Sequence, residues 1–411
     1  MLVVLCASPA SLTAQDRSRP GQSGQSVPVP ESATEPQGFL VEPELVERFV
    51  IFSNRHFGNG EAKNGFYASL WNMIPGAGWF SGGPGYRRWY AGDRFFVDGS
   101  AAISTRGYKM AQARFEALRL AERLTLGTQA RFQNFGHVRF FGEGPDSLES
   151  NRSEYGLESK NLVGYAIYRP HKVLAVGAEL GWLSPSIRSS SEDQPGVREL
   201  FPADLVFAVD DQPSFLHSEL SITADTRDFP GHPTRGSVAR AAMTNYSDRD
   251  TGVFGFRRYE TEGAHFIPLA GSRVVVALRG WLAGSDTSEG QAVPFYLQPS
   301  LGGHNTLRGY ADYRFHDRNL LLVSAETRVA MMKHVDAAVF LDAGSVAPRL
   351  GELNLDRRSY GVGLRLHSRH QTYARFDVGR GAEGWRVILR LTDPFGLSRM
   401  SLRTADVPFV P

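Results

Sequence analysis

From about Gly65 to Phe395 the chain is written in segments of roughly ten residues in which apolar and polar side chains alternate, separated by turn-forming residues. Successive side chains of a β-strand point to opposite faces, so this period of two specifies strands with one apolar and one polar face. In Tyr360–His367 one face holds Tyr360, Val362, Leu364 and Leu366, and the other holds Gly361, Gly363, Arg365 and His367. In 371–380, Thr372, Ala374, Phe376 and Val378 oppose Tyr373, Arg375, Asp377 and Gly379. In Trp385–Phe395 the apolar positions are Trp385, Val387, Leu389, Leu391 and Phe395, with Arg386 and Arg390 opposite and Asp393 interrupting the apolar face. A soluble sandwich alternates too, with its apolar face inward. Here the polar faces mix both signs of charge with glycine, as a wet interior would, and the segments reach the 9–11 residues of a tilted membrane-spanning strand.

Sixteen such segments are expected, near 64–74, 80–91, 94–105, 108–119, 123–136, 155–168, 172–183, 215–227, 235–246, 255–268, 272–284, 319–330, 335–346, 358–368, 371–380 and 384–395. An even count suits a bacterial single-chain barrel, and the fold class expected is all-β, a sixteen-stranded antiparallel transmembrane β-barrel. Connections alternate between short, such as Arg169–His171 and Ser368–His370, and long, such as Ser184–Ser214 and Ser285–Arg318. Short turns face the periplasm in this class, so both termini are expected there.

Composition bears on what the chain is not. Its 45 basic and 43 acidic residues balance, unlike the basic bias of a nucleic-acid binder. Mean hydropathy is −0.27, and no window approaches the roughly 20 apolar residues of a transmembrane helix; alternation keeps a barrel's average low. Cys6 is the only cysteine, so neither a disulfide framework nor a cysteine metal site is expected. Residues 1–14 read as the later part of a secretory signal peptide, without its basic beginning. Leu5 is too bulky for the position before a lipidated cysteine. Residues 15–60 read as a Pro/Ser/Gln/Gly-rich linker with a short helix around Pro43–Phe52, residues 61–395 as the barrel, and residues 396–411 as a tail. The common hydrolase, phosphate-binding and calcium motifs are missing and the eleven histidines are scattered. No enzymatic activity, cofactor, metal or small-molecule substrate is therefore expected.

Three motifs carry a family resemblance. The first is Leu301-Gly302-Gly303-His304-Asn305-Thr306-Leu307-Arg308-Gly309-Tyr310, in the longest late loop. The second is Phe340-Leu341-Asp342-Ala343-Gly344, on the second strand after that loop. The third is Asp225-Thr226-Arg227-Asp228 followed by Pro233-Thr234-Arg235-Gly236, which Asp, Pro and Gly allow to be read simply as a turn. Phe140-Phe141-Gly142-Glu143-Gly144-Pro145-Asp146-Ser147 adds a loop of matching kind. Together they resemble the BamA/TamA outer-membrane superfamily, also called the bacterial surface-antigen family, over roughly 65–395.

The resemblance implies a sixteen-stranded barrel whose sixth outer loop folds into the lumen, with the tip residues Arg308, Gly309 and Tyr310 anchored on the Phe340–Asp342–Gly344 strand. Alternation is consistent with this: if Ala337, Val339, Leu341 and Ala343 face lipid, Asp336, Phe340 and Asp342 face inward. Glu326 and Arg328 lie on the inward face of the preceding strand, and Gly309 lets the loop turn tightly against the wall. Arg258, Glu260, Arg279, Arg365 and Arg390 are expected as a solvated lumenal wall. The resemblance further implies that first and last strands meet in a seam able to open sideways, placing Trp385, Val387, Leu389, Leu391 and Phe395 at the functional edge. Two departures stand out. Only about 50 residues lie between the expected cleavage region and the first strand, too few for the folded periplasmic (POTRA) domains of the best-known members, and sixteen residues follow Phe395. The expectation is a barrel that inserts or translocates proteins in contact with outer-membrane lipid, nascent outer-membrane proteins and a periplasmic partner. The alternative is a passive channel or structural barrel without a client.

Overall fold

The computed structural model describes residues 38–56, 64–71, 77–78, 81–120, 123–190, 194–201 and 207–395. The signal-peptide and tail readings, with Cys6, lie outside them.

The sheet begins with β1 (Gly65–Trp71), β2 (Ser81–Tyr90), β3 (Phe95–Ser104), β4 (Lys109–Leu120), β5 (Leu124–Phe140), β6 (Ser153–His171), β7 (Leu174–Ser189) and β8 (Phe215–Asp225). It continues with β9 (Gly236–Asp248), β10 (Phe256–Leu269), β11 (Val274–Asp286), β14 (Asn319–Met332), β15 (Val335–Ala347), β16 (Arg357–His367), β17 (Thr372–Gly381) and β18 (Gly384–Arg390). Two short strands, β12 (Ser300–Leu301) and β13 (Phe315–His316), pair with each other inside the long connection between β11 and β14. The sixteen long strands form one sheet in sequence order, each antiparallel to the next, as in a transmembrane β-barrel. A helix, α1 (Glu44–His56), precedes the sheet. The segment leading into α1 is tied to the β14–β15 turn, Leu40 N donating to Met331 O at 2.8 Å and His334 N to Glu42 Oε2 at 2.7 Å.

The barrel is inside-out relative to a soluble core. Leu180, Leu220, Val339, Leu341, Tyr360, Val362, Leu364 and Phe376 are exposed on the outer face, where lipid covers them. Their inward neighbours are buried, and many are charged: Arg279, Glu326, Arg328, Asp342, Arg365, Arg375 and Asp377. Residues opposite each other in an antiparallel ladder share a face. The pairs Glu326↔Phe340, Asp342↔Ser359 and Phe340↔Gly361 therefore bring one inward patch together from three consecutive strands.

Three expectations need correction. The polar wall is not solvated: Arg258, Glu260, Arg279, Arg365 and Arg390 are all buried, because the β11–β14 connection and its aromatic neighbours occupy the interior. The final strand ends at Arg390 rather than 395; Leu391 is half-buried beyond it and Phe395 is buried. Phe395 thus does not share the outward face of Trp385 and Val387. It packs inside against Val238, Ala264, Phe266, Val275 and Ala277, while Asp393 accepts from Arg328 Nη2 at 2.9 Å. The physical reason is charge: on the lipid face Asp393 would have no partner, so the chain turns inward to one. Finally, a register shift between Leu366, which pairs with Ala374, and His367, which pairs with Thr372, brings Thr372 inward instead of outward.

Candidate lumenal anchor

Arg308 lies at the tip of the β11–β14 connection with 2% of its surface exposed. Its Nε donates to Asp342 Oδ2 and its Nη2 to Asp342 Oδ1, both at 2.9 Å, the two-pronged geometry that a guanidinium fork matches and an ammonium cannot. Its backbone N donates to the same Oδ2 at 3.2 Å, and Ser359 Oγ donates there too at 3.2 Å. The remaining prong, Nη1, donates to Glu326 Oε2 at 2.5 Å. The guanidinium carbon sits 3.5 Å from the centroid of the Phe340 ring, which adds a cation–π contact in a desolvated place.

Glu326 is shared. Arg328 Nε donates to it at 2.9 Å and Arg365 Nη2 at 2.8 Å, while Arg365 Nη1 also reaches Asp377 at 2.5 Å. Arg375 Nη1 contacts the other Asp377 oxygen at 3.2 Å. Four arginines (308, 328, 365, 375) thus face four carboxylates (Glu326, Asp342, Asp377, Asp393), so a network with almost no water contact is close to charge-neutral. Arg375, Asp377, Asp393 and Ser359 were not picked out as site residues from sequence. The Arg-x-Asp spacing at 375 and 377 puts both on one face of a strand, the one signal that could have found them.

The loop backbone is held from two walls. Arg279 Nη1 on β11 donates to Asn305 O at 2.6 Å, and Arg375 Nη2 on β17 to His304 O at 2.7 Å. Gly309 passes so close to β17 that a Cβ there would lie 2.3 Å from Gly381 N and 2.4 Å from Arg380 C. Gly344 is equally constrained, its Cβ position lying 2.2 Å from Leu321 O. Tyr310 is buried with Leu301, Leu307, Phe315 and Trp281, its ring meeting Phe315 edge-on at 5.3 Å.

At the long-loop end the same connection grips the 140–147 segment. Arg314 Nη2 donates to Ser147 O at 2.6 Å, its Nε to Glu383 at 2.7 Å, and Gly144 N donates to His316 O at 2.8 Å. Burial pushes the Glu143 carboxyl up to about 7 and the Asp317 carboxyl up to about 6.

This anchor, inside a sixteen-stranded barrel, coincides with a family match: residues 115–382 match the Omp85 superfamily domain. The chain belongs to the Omp85 superfamily. Among solved structures the chain is similar to BamA from Haemophilus ducreyi lacking POTRA domains 1–3, with a TM-score of 0.60 and 14% identity over 80% of this chain and 71% of that one. It is also similar to CdiB from Escherichia coli, with a TM-score of 0.53 and 12% identity over 79% of this chain and 61% of that one. At such identities the likeness is one of fold. Comparison with curated protein sequences gave no match. As an Omp85 member the protein is an outer-membrane β-barrel.

The seam residues of this Omp85 barrel are placed as follows. Trp385 and Val387 are 64% and 68% exposed on β18, and Leu389 is half-buried beside them. The strands β1 and β18 are the shortest of the sixteen, seven residues each, and among the described residues no ladder joins them. Arg390 Nη1 on β18 donates to Gly78 O, in the connection between β1 and β2, at 2.8 Å.

Proposed function

We propose that this barrel handles polypeptides, inserting them into the outer membrane or passing them across it, through the edge between β1 and β18. The observation that carries the reading is the contrast between wall and seam. The interior is filled by the anchored connection and its neutral ion-pair network, which argues against a passive open channel. The two edge strands are short, and among the described residues no ladder joins them. An unpaired strand edge is a template for another strand, so a client segment can add to β1 or β18 by ordinary backbone hydrogen bonds. The exposed Trp385 and Val387 then lie where client and lipid meet. The anchor keeps the lumen sealed while the edge works; Arg308, Gly309, Tyr310, Glu326, Phe340, Asp342 and Gly344 are positioning residues in this reading. In it the short turns and both termini face the periplasm, where a partner would deliver clients.

The test is site-specific photocrosslinking in cells from Trp385, Val387 and Leu389 during synthesis of outer-membrane proteins. Adducts with nascent barrel proteins that vanish when crosslinkers are moved to Leu180 or Leu220, on the far wall, are expected. Equal, background-level adducts at all five positions would reject the proposal.

A further inference from the structure

Four short turns follow one another along the sheet: those between β8 and β9 (226–235), β10 and β11 (270–273), β14 and β15 (333–334), and β16 and β17 (368–371). Each supplies one cation to a common cavity: Arg235, Arg273, Lys333 and Arg369. The first of these turns is long enough to fold across the others. Asp228 accepts hydrogen bonds from Phe229 N, Thr234 N and Arg235 N, which fold the turn on itself. Thr372 N then donates to Gly231 O at 3.0 Å, so the turn reaches from β8 to β17, seven strands away in the sheet order. Under this strap lies a concave space of about 730 Å³, within the roughly 300–1,000 Å³ of small-molecule sites.

Six cationic side chains line that space against two carboxylates. Both carboxylates are already engaged. Asp228 is held by the three backbone N–H groups and by the Thr234 hydroxyl. Asp336 lies between His232 Nε2 at 3.3 Å and His367 Nε2 at 3.1 Å. Two of the cations are compensated by carboxylates outside the cavity: Arg227 by Asp225, with Nη2 2.7 Å from Oδ2, and Arg328 by Glu326 and Asp393. Arg235, Arg273 and Arg369 are different. They are exposed at the mouth and, among the described residues, none forms an ion pair with a carboxylate. Arg369 lies over the Phe229 ring instead, its guanidinium carbon 5.0 Å from the centroid. Stacking of that kind holds the guanidinium in place and leaves its in-plane N–H groups for a ligand.

We infer that this cavity binds a phosphate group, either as the free anion or as the headgroup of a phospholipid. A guanidinium presents a planar fork of donors that matches two oxygens at once. A carboxylate has two oxygens and is filled by one fork, whereas a phosphate has enough to be shared among arginines on separate turns. The surplus of one sign in a cleft with low-dielectric walls also focuses the field toward its mouth, where the three arginines stand. An acidic polypeptide would need an open groove to extend along; four turns and the strap surround this site, which suits a compact group. Strand ends lie at the level of the membrane's polar headgroups, so a phospholipid phosphate and a soluble one both come within reach. The bound group draws the turns of Arg235, Arg273 and Arg369 together and braces the strap across the short-turn opening. No run of basic residues signals the site, because its arginines come from turns far apart in the chain.

The test uses the full-length barrel, folded in a phosphate-free non-ionic detergent, with folding verified by heat-modifiable gel mobility. Inorganic phosphate is titrated and followed by phosphorus NMR line broadening. Phosphatidylglycerol is added in parallel and its adducts are counted by native mass spectrometry, with diacylglycerol as the phosphate-free control. Saturable binding of one phosphate group per barrel is expected, with no diacylglycerol adduct, and the tighter of the two probes identifies the source. In R235Q/R273Q the affinity should fall about a hundredfold, about tenfold for each fork lost. R123Q/K172Q removes the same charge from short turns outside the cavity and should bind as the wild type does. The assignment is overturned by folded wild-type protein that saturates with neither probe, or by equal losses in the two double variants. Tighter binding of hexaglutamate than of both phosphate probes also overturns it and makes the occupant an acidic polypeptide.

Discussion

Removing the Arg308 side chain should release the lumenal connection while leaving the barrel standing. In Arg308→Ala, Glu326 keeps Arg328 and Arg365 and stays neutralised. Asp342 does not: its bidentate partner is gone, and Ser359 Oγ and one backbone N–H are what remain. An uncompensated carboxylate as buried as this one costs about 3–5 kcal/mol, and losing the stacking on Phe340 adds roughly 1 kcal/mol more. At about 1.4 kcal/mol per tenfold, opening of residues 300–316 should become at least about a hundredfold more frequent. Hydrogen exchange at the amides of Gly303 and Tyr310, which bond within the loop, reads that opening directly. Arg308→Lys should fall between, since one ammonium can neutralise Asp342 but cannot bridge both its oxygens and Glu326. The informative comparison is the double variant R308A/D342N. If the cost of R308A arises from the stranded carboxylate, neutralising Asp342 should recover about 2 kcal/mol or more. Strictly additive effects of R308A and D342N on loop exchange would refute the reasoning and point to packing around Phe340 instead.

Two further outcomes follow from other parts of the site. Gly309→Ala would push a methyl into the backbone at Arg380 and Gly381, so it should weaken loop docking by about 1–3 kcal/mol, read by the same exchange experiment, with overall barrel unfolding in urea little changed. Burial raises Glu143 from 4.5 to about 7, so docking of the 140–147 segment gains stability below about pH 4.5 and loses it progressively as pH rises through 7. Protease resistance of that segment should therefore be higher at pH 5 than at pH 8, and Glu143→Gln should flatten the difference; Asp317, raised to about 6, contributes with the same sign.

Sequence alone determined the repeating unit and its number. The alternation that hides Leu364 from water and Arg365 from lipid is a local property, fixed by the two-residue period of a strand, and each of the sixteen segments overlaps a strand of the structure. The same period put Asp342 and Phe340 on the inward face and set Arg308 in a long connection that could reach them. Tertiary structure decided how the interior's charges are matched. Arg328 with Asp393, Arg375 with His304 O, and His232 with Asp336 and His367 join residues far apart in the chain. Their partners depend on how far each connection folds inward, which no local pattern encodes. That is why a wall read as solvated is instead filled. It is also why Phe395, in phase with Trp385 and Val387 by counting, leaves the lipid face once the strand stops and Asp393 turns to the buried Arg328. Local alternation selects a face; electrostatic neutrality in a nearly dry lumen selects the partner.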